Sequence, residues 1–137
     1  MPASTSDLAV TTLLERLADA RRQTDAIFAI VRPDSLYERP IPERHRIVFY
    51  IGHLEAFDAN LLQPALSLKS FTPDLDRLFA FGIDPVDGGL PNDQPSQWPT
   101  IDRVKDYVTR TRNLLDEKLE DALEKIRTIE ESLIHLQ

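Results

Sequence analysis

The chain has 137 residues, and 16 lysines and arginines against 23 aspartates and glutamates leave a formal charge of −7. That length suits one core of ordinary domain size, and the acid excess excludes a protein that grips a phosphate backbone through a clustered basic face. The absence of cysteine removes disulfides, thiol nucleophiles and thiolate metal sites from consideration.

The first residues, Met1 to Asp7, carry no basic and apolar leader pattern. The longest uncharged apolar run, Ile47 to Leu54, is far below the ~20 residues that span a bilayer. The expectation is a soluble, cytoplasmic protein with neither nucleic acid nor membrane as partner. All ten prolines lie at or before Pro99 and all four glycines at or before Gly89, so the breakers divide the chain into three helix-forming segments.

The first segment runs from Ala3 to Arg32. Ser6 or Asp7 suits its N-cap, and Val10, Leu13, Leu14, Leu17, Ile27, Phe28 and Val31 recur at helical spacing. Pro33 disfavours the α conformation at Arg32 and ends it. The second segment is predicted to begin after the loop Pro33 to Glu43, where Pro42 suits a first helical position, and to continue to about Gln63, where Pro64 stops it. It is apolar around much of its circumference, as a central helix is.

Residues 64–100 connect the second and third segments. Six prolines and three glycines fall here, yet Phe71, Leu75, Leu78, Phe79, Phe81, Ile83, Val86, Leu90 and Trp98 supply surface for packing, which predicts an ordered, folded-back loop. Thr72, Pro73 and Asp74 predict the start of a short helix closed by Gly82, and Asp87-Gly88-Gly89 reads as a turn.

The third segment opens at Thr100, a reasonable N-cap, and contains no breaker afterwards. From Leu115 the apolar positions Leu119, Ala122, Ile126, Ile129, Leu133 and Leu136 follow in steps of 4, 3, 4, 3, 4 and 3, the 3.5-residue seam of a coiled coil or bundle helix. Two outcomes stay open: a tight turn near Glu120-Asp121 giving two antiparallel helices, or one long helix whose distal stripe is covered by another copy of the chain.

Histidine carries the candidate chemistry. His53 lies mid-helix beside Gly52, between Phe49 and Phe57, where it is either a satisfied core imidazole or a metal ligand. His135 follows Glu131 by four residues, so the two share a helix face and can offer a carboxylate and an imidazole to one ion; the alternative is a solvated pair. His45, among charges in Glu43-Arg44-His45-Arg46, reads as a surface residue. Nucleotide loops, zincin signatures and nucleophile elbows are missing from the sequence.

Two stretches resemble a known family. Leu36 to Asp58, containing Ile51-Gly52-His53-Leu54, is similar to the second-helix region of DinB-like domains, and more narrowly to the N-terminal domain of ergothioneine-biosynthetic sulfoxide synthases. Leu75 to Pro85, with Gly89-Leu90-Pro91 and Gln97-Trp98-Pro99, is similar to the loop that follows in the same group. The resemblance covers roughly residues 7–115. It implies an all-α, up-and-down bundle of four helices, the last merged with the third if no turn intervenes, forming one domain over residues 1–137.

It also implies a divalent metal, Fe(II) first, held by three histidines. His53 matches the one on the second helix and His135 the second of a His-x-x-x-His pair, whereas Glu131 stands where the first of that pair would be. Family synthases continue into a formylglycine-generating-enzyme-like domain that completes the active site. Here the chain runs two residues beyond His135, so the expectation is a module that is catalytically incomplete alone, its catalytic domain lying further along a longer chain or in a neighbouring one. The rival expectations are an interaction domain forming homo-oligomers through its C-terminal helix, and a stand-alone metal-dependent thiol transferase or hydrolase.

Overall fold

The computed structural model describes residues 5–80 and 91–136, with side chains from Leu8 onward. Among these residues there are four α-helices and no strand: α1 (Thr5–Ala29), α2 (Ile47–Leu66), α3 (Pro73–Phe79) and α4 (Ile101–Ile134), with single 3₁₀ turns at Pro33–Ser35 and Pro95–Gln97. The all-α expectation holds. Gly82, the turn at 87–89 and the apolar residues between them lie outside the described residues.

The chain divides into two compact units, residues 31–115 and residues 1–30 with 116–137. In the first of these, α2 contributes Val48, Phe49 and Ala56, α3 contributes Leu75 and Phe79, and α4 contributes Val104 and Tyr107, with Trp98 from the connection, to one buried cluster. Phe49 meets Trp98 edge to face at 5.9 Å between centroids, and Phe79 lies 5.2 Å from Tyr107. Each such fully buried side chain contributes on the order of 2 kcal/mol of transfer free energy. The apolar residues of the connection therefore do pack, as predicted, wherever they are described.

The predicted start of α2 needs correcting. Arg46 is extended, with φ −65° and ψ 153°, and the helix begins at Ile47, well past the proline that suited a first helical position. The amides of Ile47 and Val48 donate to the carbonyls of Glu38 and Leu36, so the first-turn donors of α2 are satisfied by the preceding loop. Its end also differs. α2 continues through Pro64 to Leu66 and closes at Ser67, which adopts a left-handed conformation with φ 52° and ψ 48°. A proline so close to the end removes one helical hydrogen bond and leaves few others to disturb. Thr100 caps α4 as expected, accepting from the Arg103 amide at 3.3 Å.

In the other unit the half-buried stripe of α1 is Val10, Leu14, Leu17, Ala18, Arg21, Thr24 and Phe28, while Leu13 and Ile27 are exposed. Arg21 Nη1 donates to Asp116 Oδ1 at 2.7 Å. α4 is a single 34-residue helix of about 50 Å, so no turn occurs at Glu120-Asp121. Along it Val104, Tyr107, Thr111 and Leu115 are buried, whereas Ile126, Ile129 and Leu133 are exposed. The seam read from sequence is thus covered at its start and bare in its distal part. Among the described residues no helix is long and apolar enough to cross a membrane.

Candidate functional site

His53 projects from the middle of α2, half-buried. Its Nδ1 lies 2.6 Å from the carbonyl oxygen of Phe79, the last residue of α3. A carbonyl only accepts, so Nδ1 carries the proton, and in the neutral form of the ring this leaves Nε2 unprotonated. The ring face stacks on Phe49, 4.8 Å between centroids and 21° between planes, and Phe57 approaches at 6.4 Å. Packing and hydrogen bond together fix both tautomer and orientation. His45 belongs to the same column, its ring 3.9 Å from Phe49. It is half-buried where the sequence suggested a surface residue, because the loop leading into α2 lays its ring against Phe49.

This is the arrangement in which a metal-ligating histidine is ordinarily held: one ring nitrogen donates to a backbone carbonyl while the other faces the ion. His53 is therefore held as one ligand of such a group would be. Glu131 and His135, at the end of α4, are both exposed and lie one turn apart, the His135 amide donating to the Glu131 carbonyl. They belong to residues 116–137, and His53 to residues 31–115. Among the described residues no group of three or more histidines, aspartates and glutamates is gathered closely enough to hold an ion.

Three polar constructions within the same unit, residues 31–115, were not legible in the sequence. Glu55, two residues after His53, is buried and accepts from Arg112 Nε at 2.7 Å. Tyr107 donates its phenolic hydrogen to Asp76 Oδ1 at 2.8 Å, and burial first, then the Asp76 carboxylate, raises its pKa above the ordinary tyrosine value. Asp93 is the third. It accepts from Trp98 Nε1 at 2.6 Å, from Arg46 Nε at 2.9 Å and from Arg39. Burial alone would raise its pKa, but the Trp98, Arg39 and Arg46 hydrogen bonds outweigh it and hold the carboxyl at about 2. An acid inside the apolar run of α2 was the one available signal for Glu55; nothing in spacing links Asp93 to arginines about 50 positions away.

Residues 16–132 match the DinB superfamily. The chain belongs to that superfamily. Its Gly52-His53 therefore sits in the second helix of a DinB domain, where the resemblance placed it. Two curated proteins are similar in sequence. One is "Ergothioneine biosynthesis protein 1" of Neurospora crassa, 30% identical over 88 residues, covering 60% of this chain and 10% of that protein. The other is the protein of the same name from Schizosaccharomyces pombe, 28% identical over 115 residues, covering 78% of this chain and 15% of that protein. The chain thus spans a small part of the length of these relatives.

Proposed function

We propose that this DinB domain is a metal-holding module of the kind that precedes the catalytic domain in ergothioneine-biosynthetic synthases, and that it is catalytically incomplete alone. The observation that carries the reading is the Phe79 carbonyl on His53 Nδ1, which leaves Nε2 as a ready ligand. The similarity to two ergothioneine biosynthesis proteins supports the context. Fe(II) is the first candidate, since non-haem iron accepts imidazole and carboxylate together, so that Glu131 can serve as a donor in place of histidine beside His135. A bound iron would supply redox chemistry at this site.

The test is metal content after anaerobic loading with Fe(II) and desalting. Close to one ion per chain is expected, with His53→Ala abolishing retention. Glu131→Ala and His135→Ala measure each residue's own share and are each expected to weaken retention about tenfold or more. Wild-type protein with no metal above background would overturn the reading.

A second reading is favoured by the exposure of Ile126, Ile129 and Leu133 on α4. In it the distal seam pairs with a second copy of the chain. Sedimentation should then show a dimer that Ile126→Asp with Leu133→Asp converts to monomer, and a wild-type chain already monomeric removes this reading.

A further inference from the structure

Phe79 touches two successive residues of α2 by different means. Its carbonyl oxygen accepts from His53 Nδ1, and its ring lies where a side chain at Gly52 would begin: a β-carbon built there would stand 2.5 Å from Cδ1, Cε1 and Cζ of Phe79. Atoms that close cannot coexist. The ring has little freedom to yield, because Phe79 is fully buried between Phe49 and Tyr107. Gly52 is required here for space, and the space lets α3 end directly against α2.

Phe79 is also the last residue of α3, where helix carbonyls lack intrahelical partners. The following amide, that of Ala80, turns back to Arg77, and the Phe79 oxygen accepts from His53. We infer that Gly52 and Phe79 are positioning residues that set the tautomer of His53: the glycine admits the ring, the seated ring places the α3 terminus, and the terminal carbonyl holds the proton on Nδ1. Neither residue contacts an ion. The functional meaning rests on reading His53 as a ligand through Nε2, but the tautomer itself is a property of the metal-free protein.

The experiment is nitrogen–proton correlation of the histidine side chains in the metal-free 137-residue chain under mildly alkaline conditions, together with Co(II) titration followed by absorption. Wild type should show His53 protonated at Nδ1. Gly52→Ala substitutes a better helix former, yet should displace the ring and carbonyl, release His53 toward the Nε2–H form that free imidazole side chains favour in water, and weaken Co(II) binding roughly 10–100-fold, as loss of an outer-shell partner does. Adding Phe79→Leu, which shortens the obstructing side chain and keeps the carbonyl, should restore the Nδ1–H form and the affinity.

An Nε2–H form in wild type, or a folded Gly52→Ala variant whose His53 signals are unchanged, overturns the inference. If Gly52→Ala does not fold, the comparison passes to wild type and the double variant. Nδ1–H in both, with Phe79→Leu alone shifted toward Nε2–H because the ring that places the terminus is gone and nothing refills its space, supports the inference. Nε2–H in either, or an unchanged Phe79→Leu, overturns it. Nδ1–H without Co(II) binding leaves the positioning intact and removes the metal reading, so the two failures are distinguishable.

Discussion

Arg46 holds Asp93 twice, its Nε on the Oδ2 carboxylate oxygen at 2.9 Å and its Nη2 on the Asp93 carbonyl oxygen at 2.7 Å. One guanidinium thereby ties both the side chain and the main chain of a connection residue to the loop that feeds α2, and its Nη1 adds the Tyr37 carbonyl at 2.6 Å. The hub explains why the residues before Ile47 are a loop and not a first helical turn.

A depressed folded pKa makes this hub acid-sensitive. The Asp93 value of about 2 lies below the ordinary 3.8, so its contribution is present above the unfolded value and is lost as pH falls through the folded one. Allowing for its partial exposure, Asp93→Asn should cost about 1 kcal/mol at pH 7. Urea unfolding at several pH values should find the variant's deficit shrinking between pH 4 and pH 2; a constant deficit would contradict the linkage.

The Tyr107 phenol is displaced the other way. Its raised pKa means that its contribution is in place below the unfolded value of 10.0 and is lost as pH rises above it. Tyrosine absorbance should therefore show Tyr107 un-ionised at pH 11 until the fold opens. Tyr107→Phe, which leaves Asp76 without this donor, should cost about 1–2 kcal/mol at neutral pH.

Glu55 and Arg112 form a pair whose side chains are 4% and 17% exposed. Breaking it from one side strands a buried charge, so Arg112→Ala should destabilise by about 3 kcal/mol. Combining it with Glu55→Leu should recover most of that loss in the same denaturation assay. Were the single and double variants equally unstable, the cost would lie in packing and not in the stranded carboxylate.

Ser67 offers a gain. Its left-handed backbone, φ 52°, at the end of α2 is one that L side chains adopt at a cost. Ser67→Gly should stabilise the protein by about 0.5 kcal/mol, read as a raised melting temperature, and an unchanged or lowered one would show that the serine makes good the backbone cost.

Local chemistry determined much of this protein. Breaker positions, helical periodicity and caps such as Thr100 depend on residues within a turn or two of one another, and so the helices, the ordered connection and the Gly52-His53 motif with its DinB affiliation could be read from the chain. Proline placement misled at both ends of α2, because the neighbouring loop's carbonyls, and not Pro42, set its start, and Pro64 could be carried so near its end.

Tertiary structure decided the rest. Which face of α1 is covered, with Arg21 and Thr24 inward and Leu13 outward, depends on what surrounds the helix and not on hydrophobicity alone. The ion-pair partners of Asp93 and Glu55, the burial of Thr111 and the tautomer of His53 all depend on groups brought together from distant positions, and periodicity carries no record of such meetings. His53 could be named as a candidate from sequence. Only the Phe79 carbonyl, placed by a ring seated over Gly52, shows which of its nitrogens is left to act.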